Sequence, residues 1–591
     1  MSINTFQKQT NINIQEKANL IWEIATHLVG LFKPHEYGKV ILPMTVLKRF
    51  DDALAPTKDK VVKRAASLSE KMAPELRDGI LCKESGYSFY NTSRFDFNKL
   101  VADPDNIEDN FDDYLKGFSS NVKDIIDNFK FTDQVKTMVD GKVLYVVIQE
   151  FCSKKGDMSP DKITSADMGY VFEELVRKFS ESYDEQAGAH FTARDIIYLM
   201  TELLVAPEKE EIAVNGCAKT AYDMAMGTSQ MLGCLTERIY DINESAELIS
   251  FGQEFNPETF AIAKADMLIK GGNADGMKYG DTLNDDRFSG QEFDYIISNP
   301  PFGIDWKREK AEVEAEAKKG FDGRFGPGLP AISDGQMLFM LNGVKKLKKT
   351  GRMAIIQNGS SLFTGDAGSG SSEIRRYVIE SDLVEAIIQL PTDLFYNTGI
   401  STYIWVITKD KSMERLGKVQ LIDASKCFAK RRKNIGNKRV DLDDRCISLI
   451  MKAYSEFSDK EYSYGNLFVE SKVFDNEFFG YTKVTVLQAV VDDNGNPILK
   501  KGKMQQDKGK GTDMEIIPLL EDIDGYIKKN VLPYSPNAYL DRSKDKIGYE
   551  VPFTRLFYKF VPPVASEEIF AEIKALEDEE TSLMKELFGN D

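Results

Sequence analysis

Cysteine and histidine are scarce in this chain, whose 591 residues include six cysteines and three histidines. The cysteines stand far apart, at positions 82, 152, 217, 234, 427 and 446. Disulfide frameworks and zinc sites are recognised by closely spaced pairs of such residues. The spacing therefore argues against a disulfide-stabilised protein, and we expect no metal site.

Long apolar runs are missing as well. No stretch approaches the ~20 apolar residues that a membrane helix needs. The N-terminal segment also lacks the apolar core of a signal peptide. From these two absences we expect a cytoplasmic protein that makes no membrane contact.

An excess of positive charge is the third absence. Lysine and arginine number 76 against 94 aspartates and glutamates, so the net charge is −18. A protein that coats nucleic acid by itself usually carries the opposite charge. Contact with nucleic acid would therefore need a local basic face, or a partner chain that supplies the main contacts.

The order of the predicted elements indicates an α/β protein of several domains. Residues 1–160 have mostly helical apolar spacing, so we expect a helical N-terminal domain. Strands and helices alternate over residues 161–430, which is typical of a mainly parallel sheet with helices on both faces. The predicted strands are residues 220–223, 248–251, 277–279, 293–298, 352–357, 384–390, 401–409 and 418–422.

The last part of the chain is less regular. Residues 431–563 form a predicted irregular region with a mobile polar loop near residues 500–512. Residues 564–591 are predicted to form a helix with a heptad-like apolar seam. The seam consists of Ile569, Ile573, Leu576, Leu583 and Leu587. Docking on a partner helix and packing on the chain's own domain are equally compatible with this pattern.

The most informative segment is Asn299, Pro300, Pro301 and Phe302, which follows the apolar strand 293–298. The two prolines make a rigid turn at the carboxyl end of a strand, where ligands of open α/β sheets bind. The Asn299 oxygen and the Pro300 carbonyl can accept both protons of an amino group on a flat ring, and Phe302 can stack on that ring. The alternative is a proline-rich loop after a core strand.

Strand ends upstream of this segment predict a nucleotide-type crevice. The first predicted strand leads into a turn of small residues and then a helix, whose first N–H groups are unpaired. An acid at the end of the next strand, Glu254, suits ribose hydroxyls. Asp281, which follows the third predicted strand, can accept a hydrogen bond from an adenine amine. The residues of the first turn are Asp223, Gly227, Thr228, Ser229 and Gln230.

A loop before the first strand is the fourth piece of this arrangement. We expect it to close over the methionine end of a cofactor, although a plain surface loop is the alternative. It comprises Ala189, His190, Phe191, Thr192, Ala193 and Arg194.

Together these segments resemble the modification (methyltransferase) subunit of type I restriction–modification systems. The resemblance implies a Rossmann-like domain that uses S-adenosyl-L-methionine to methylate N6 of a flipped-out adenine in double-stranded DNA. It also implies a complex in which two such subunits bind one specificity (target-recognition) subunit. A nuclease–translocase subunit can join that complex.

Three positions depart from the family pattern. Met224 and Ala193 stand where the family usually has proline, and Ser229 stands where it usually has glycine. Ser229 places a side chain where the cofactor approaches the backbone. Two alternatives stay open: a scaffold subunit whose cofactor site has decayed, and a protein glutamine-amide methyltransferase, which uses a similar Asn-Pro-Pro turn but more usually has tyrosine next.

A basic run near residue 430 is the candidate DNA contact. Charge runs of this kind are more commonly solvated surface, but in an acidic protein of this class a phosphate contact is a reasonable prediction. Its basic residues are Lys430, Arg431, Arg432, Lys433, Lys438 and Arg439.

Overall fold

The computed structural model describes residues 14–69, 71–153, 156–181, 192–396, 398–493, 496–500, 503–560 and 563–589. The chain divides into two compact units, Met1–Val551 and Pro552–Asp591. Within the ranges above, no helix combines the length and the apolar character needed to cross a membrane.

The N-terminal part of the first unit is helical, as predicted. The longest helix of this N-terminal part, Gly38–Leu54, is buried along most of its length. This layer packs against the helix Pro257–Lys270 of the following domain, because Ala261, Ile262 and Leu268 belong to the same apolar core. The α-helices up to residue 151 are Ile14–Glu23, Gly38–Leu54, Lys58–Ser67, Pro74–Ser85, Phe97–Val101, Ile107–Lys116, Ser120–Asn128, Phe131–Asp140 and Leu144–Phe151.

The centre of the first unit is one large sheet. Its first eight strands in chain order are β1 (Ala218–Asp223), β2 (Glu247–Glu254), β3 (Met277–Tyr279), β4 (Phe293–Ser298), β5 (Leu347–Asn358), β6 (Val384–Gln389), β7 (Thr402–Thr408) and β8 (Lys418–Asp423). A hairpin follows, formed by β9 (Ala429–Ile435) and β10 (Lys438–Asp441), and then β11 (Lys460–Tyr464) and β12 (Leu467–Asp475). The ten strands of the sheet lie in the order β11-β12-β8-β6-β7-β5-β4-β1-β2-β3.

All eight strands predicted from the sequence are present, and β3 and β4 have the predicted ends. The largest difference is at β5, which begins at Leu347, five residues before the predicted start. Its first residues include exposed Lys349 and Thr350, so apolar spacing does not mark where the strand begins.

Helices cover the sheet, as expected for an α/β domain. Those between residues 165 and 456 are Ser165–Glu181, Arg194–Val205, Lys209–Ile212, Gln230–Ile242, Pro257–Lys270, Lys310–Ala317, Gln336–Lys346, Ser360–Phe363, Gly370–Glu380 and Asp444–Glu456. Strand β4 is buried at every residue and lies between β1 and β5, parallel to both. The carboxyl ends of β1, β2 and β4 therefore meet at one edge of the sheet.

The region predicted to be irregular contains short strands. β11 and β12 lie after residue 430 and extend the large sheet. The boundary predicted at residue 430 between the methyltransferase domain and the region that follows stays a prediction. A second, antiparallel sheet consists of β13 (Gly480–Gln488), β16 (Thr512–Pro518), β17 (Ala538–Leu540) and β18 (Lys546–Tyr549), with the helix Ile523–Asn530 packed on it. In the chain, the small antiparallel pair β14 (Leu499–Lys500) and β15 (Lys503–Met504) comes between β13 and β16. β14 and β16 are exposed at most positions, and apolar alternation is therefore a weak signal for these two strands.

The second unit contains the helices Phe553–Phe557 and Ser566–Phe588. The longer one matches the helix predicted for residues 564–591. The side chains of its seam are exposed, from 46% at Ile569 to 73% at Leu587. Docking of this helix on a partner stays a prediction.

Candidate functional site

The turn after β4 holds a buried amide with one unpaired end. Asn299 is 5% exposed, and its Nδ2 donates a hydrogen bond to Thr192 Oγ1 at 2.8 Å. Its Oδ1 accepts no hydrogen bond from any residue that the structure describes. A buried acceptor without a donor costs about 1–3 kcal/mol, and such groups in native proteins call for an explanation. A ligand that brings an N–H donor to this point would satisfy it.

The rest of the turn is held by the chain that follows. Gly303 has a φ of +73°, and its N–H donates to Asp334 Oδ1 at 3.3 Å. Phe302 is 9% exposed and lies in the same apolar core as Phe395. Stacking of Phe302 on a ligand ring stays a prediction.

Asp223 connects the ends of β1 and β4. Its Oδ1 accepts hydrogen bonds from Ser298 Oγ at 2.7 Å and from Ala225 N at 3.1 Å. Burial raises the pKa of Asp223 to about 7. Because Ser298 directly precedes Asn299, this carboxyl fixes the turn of the predicted crevice beside the Asn-Pro-Pro segment.

Glu254 holds the same turn from the end of β2. Its Oε2 accepts from Gly227 N at 2.8 Å, and its Oε1 accepts from Asn256 N at 2.7 Å. Burial raises the pKa of this carboxyl. Each carboxylate oxygen has more than one acceptor site, so both can also accept from a hydroxyl of a ligand.

The backbone of the turn takes left-handed conformations at two positions. Gly227 has a φ of +52° with open space where a Cβ would stand, and Ser229 has a φ of +67°. Ser229 is buried, as is its neighbour Thr228, and its Oγ has no hydrogen-bond partner among the described residues. An unpaired buried hydroxyl beside the N-terminus of the helix Gln230–Ile242 fits an anionic group of a ligand.

Two of the predicted cofactor residues contact each other. Arg194 Nη2 donates to Gln230 Oε1 at 2.7 Å, and the Arg194 guanidinium stacks 3.4 Å above the Tyr170 ring. Ala193 is buried just before the helix Arg194–Val205. Their predicted contact with a cofactor stays a prediction. Ala189, His190 and Phe191 lie outside the described residues.

Asp281 lies after β3, as predicted. Its Oδ1 accepts from Leu283 N at 2.9 Å. Burial, together with a hydrogen bond to Asp281, raises the pKa of the Glu309 carboxyl. Glu309 is a neighbour that the sequence pattern did not single out, because it lies 28 residues further along the chain, just before the separate helix Lys310–Ala317.

The basic run forms the hairpin β9–β10 and separates into exposed and buried residues. Lys430, Arg432 and Arg439 are exposed, whereas Arg431 pairs with Asp441. The side chain of Lys433 lies outside the described ones.

Lys438 is 1% exposed, and its Nζ lies 2.8 Å from Asp195 Oδ2 and 3.0 Å from the Leu394 carbonyl. We correct the prediction for this residue: a buried ammonium held by a carboxylate is not available to a DNA phosphate. The hairpin is also tied to the chain after β6, since Asn437 N donates to the Tyr396 carbonyl at 2.8 Å and Arg439 N to the Asp393 carbonyl at 2.8 Å.

The sequence matches the family model described as N-6 DNA methylase over residues 164–490, which is more than half of the chain. The chain belongs to the N-6 DNA methylase family. A second model, the HsdM N-terminal domain, matches residues 17–151 of this methylase.

Individual relatives agree with this assignment. This methylase is 24% identical over 469 residues to the type I restriction enzyme MjaIX methylase subunit of Methanocaldococcus jannaschii, a match that covers 76% of this chain and 78% of the relative. It is 29% identical over 262 residues to the HindI methylase subunit of Haemophilus influenzae, covering 44% of this chain and about half, 54%, of the relative.

A solved structure shares the fold. The crystal structure of the type I restriction-modification system methyltransferase subunit from Streptococcus thermophilus superposes with a TM-score of 0.62 at 22% identity, covering 80% of this chain and 97% of that one. The predicted fold class, family and adenine-specific DNA methyltransferase function are confirmed. These matches do not favour either alternative, the glutamine-amide methyltransferase or the scaffold.

Proposed function

We propose that this methylase transfers a methyl group from S-adenosyl-L-methionine to N6 of an adenine in duplex DNA, with Asn299 as the residue that grips the amine. The observation that carries this proposal is the buried Asn299 Oδ1, which no described residue satisfies. An exocyclic amine is a donor group that fits there.

The residues of the nucleotide-type crevice at the ends of β1, β2 and β3 fit the cofactor. The unpaired Ser229 Oγ and the N-terminus of the helix after Ser229 suit the carboxylate of the cofactor. Glu254 suits the ribose hydroxyls of the cofactor, and Asp281 suits its adenine amine. When bound, the cofactor supplies an activated methyl group on a positively charged sulfur.

The protein's part in the reaction is positioning and hydrogen bonding. The target adenine must leave the duplex, at a cost of about a few kcal/mol. Asn299 Oδ1 and the Pro300 carbonyl would then accept hydrogen bonds from the two N6–H groups, which would localise the lone pair on the nitrogen and make it nucleophilic. Acceptors that are already in place in a dry site are effective because they need not reorganise during the reaction.

The net charge of the chain and the exposed helix of the second unit both support the proposal that this methylase acts in a complex with partner subunits. With a net charge of −18, the isolated chain is poorly suited to hold DNA alone. We infer that a specificity subunit reads the sequence and that a second copy of this chain completes the complex, to which a nuclease–translocase subunit can bind. The exposed seam of the helix Ser566–Phe588 is the proposed docking element.

The exposed face of the hairpin β9–β10 is the proposed DNA contact. The hairpin is anchored to residues 393–396 and to Asp195, and Leu394 and Phe395 belong to the apolar core that includes Phe302. Its exposed cations therefore lie on a strand pair that is fixed to residues 393–396, whose apolar members share one core with Phe302.

Replacing Arg432 and Arg439 by glutamine is expected to weaken DNA binding by the assembled complex. The plot of log affinity against log salt should become shallower by about 2, since each arginine that no longer neutralises a phosphate lowers the slope by roughly one. A matched control removes two exposed cations elsewhere, with Lys528→Gln and Lys529→Gln. An unchanged salt slope in the hairpin variant would contradict the proposed contact.

Replacing Ser229 by glycine and by alanine is expected to separate the effect of backbone strain on stability from the effect of the hydroxyl on cofactor binding. An L side chain at a left-handed position costs roughly 1–2 kcal/mol, so Ser229→Gly should unfold at a higher temperature than Ser229→Ala. Both variants lose the hydroxyl, and calorimetry should show about 5-fold weaker cofactor binding by each, since one hydrogen bond is removed. Tighter binding by the glycine variant would mean that the serine side chain hinders the cofactor.

Methyl transfer from labelled cofactor tests the proposed function directly. The chain, assembled with its specificity subunit, is incubated with methyl-labelled S-adenosyl-L-methionine and duplex DNA. We expect label in N6-methyladenine after digestion of the DNA to nucleosides. Label in protein would favour the glutamine-amide alternative, and failure to bind the cofactor would favour the scaffold.

A further inference from the structure

Among the described residues, Thr192 is the side chain that accepts a hydrogen bond from the Asn299 amide. The donor, Asn299 Nδ2, lies 2.8 Å from the Thr192 hydroxyl oxygen, and Asn299 and Thr192 are 5% and 8% exposed respectively. This hydrogen bond joins residues 107 positions apart in the chain. The sequence pattern assigned Thr192 to the cofactor and gave no sign of this interaction.

A carboxamide has a donor end and an acceptor end of nearly the same shape. Only the acceptor end can bind the N6 amine. With the ends exchanged, the N–H groups of Asn299 would face the N–H groups of the base. The hydrogen bond from Nδ2 to the Thr192 hydroxyl fixes the rotation of the amide as observed and leaves Oδ1 as the end that is open to a ligand.

We propose that Thr192 is a positioning residue, whose hydroxyl holds the donor end of the Asn299 amide so that Oδ1 faces the target amine. This inference rests on the proposed role of Asn299. Thr192 acts through that amide and does not itself touch the reacting atoms.

The backbone that carries Thr192 is anchored by the two residues that begin the next helix. Asp195 Oδ2 accepts from Lys438 Nζ at 2.8 Å and from Leu442 N at 2.9 Å, and Arg194 Nη2 donates to Gln230 Oε1 at 2.7 Å. Threonine is also stiff about χ1 because its Cβ is branched. The hydroxyl is thus presented from a fixed point.

The test compares Thr192→Val, which keeps the shape and removes the hydroxyl, with Thr192→Ser, which keeps the hydroxyl. In the assembled complex we expect valine to lower the single-turnover methylation rate about 10-fold, with cofactor affinity and KM for DNA unchanged within about 2-fold. Serine should restore most of the rate. Unchanged cofactor binding also shows that each variant is folded; if valine prevents folding, Thr192→Ala takes its place.

A double-mutant cycle provides the decisive readout. In an Asn299→Ala background the amide is gone, so Thr192→Val should cause no further loss of rate. An equal loss in both backgrounds, or a loss of cofactor affinity, would overturn the positioning role. Full activity of Thr192→Val beside an inactive Asn299→Ala would overturn this inference alone, whereas full activity of Asn299→Ala would overturn the proposed function of Asn299.

Discussion

Asn299→Ala is expected to methylate DNA at least about 100-fold more slowly than wild type while binding the cofactor normally, in line with the loss of one preorganised hydrogen bond in a dry site. The substitution removes Oδ1, the acceptor that no described residue occupies. It leaves Glu254 and the turn at Gly227 intact, because their hydrogen bonds do not involve Asn299.

Single-turnover transfer to duplex DNA measures the rate, and calorimetry measures cofactor binding. The matched control is Asn215→Ala, an exposed asparagine that precedes β1 at the opposite edge of the sheet. Its rate should equal that of wild type. Normal turnover by Asn299→Ala would remove this residue from the mechanism.

Removing residues 564–591 is expected to weaken binding to the specificity subunit without changing cofactor binding. The deleted helix contains Leu576 and Leu583, which are 64% and 50% exposed. Exposed apolar side chains in a row mark interaction surfaces in soluble proteins. Without the specificity subunit the chain should bind DNA weakly and without sequence preference. With it, preference for the target site should rise by at least about 1000-fold.

Point variants make this prediction sharper than the deletion. Leu576→Ala with Leu583→Ala removes two seam residues seven positions apart. Asp578→Ala with Lys585→Ala removes two residues with the same spacing on the opposite side of the helix. Size-exclusion binding should be impaired only for the first pair. Site-specific methylation by the purified single chain would contradict the dependence on a partner.

Local sequence patterns were sufficient for the frame of the site. The run 293–298 is apolar at every position except Asp294 and Ser298, and it is followed by two prolines, so the ends of β4 could be predicted without knowledge of its neighbours. Glu254 could be placed near the end of β2 because it comes three residues after the predicted strand 248–251. Parallel strands align their carboxyl ends, and the prediction that Asp223, Glu254 and Asn299 share one edge followed from that rule.

Roles that depend on distant partners could not be obtained in this way. Lys438 and Arg439 are neighbours in one basic run, yet one is buried against Asp195, 243 residues away in sequence, and the other is exposed. A run of charges does not indicate which member meets a carboxylate. Asn299 could be recognised from its own segment, but the residue that holds its donor end could not.

The sequence alone determined the family, the α/β order of elements and the position of the Asn-Pro-Pro turn, because each depends on residues within one or two elements. Tertiary structure alone decided that Ser229 takes a left-handed conformation with an unpaired hydroxyl, that Lys438 is withdrawn from the surface, and that Thr192 meets Asn299. These outcomes depend on how helices and strands far apart in the chain pack together, since packing decides which buried polar groups find partners.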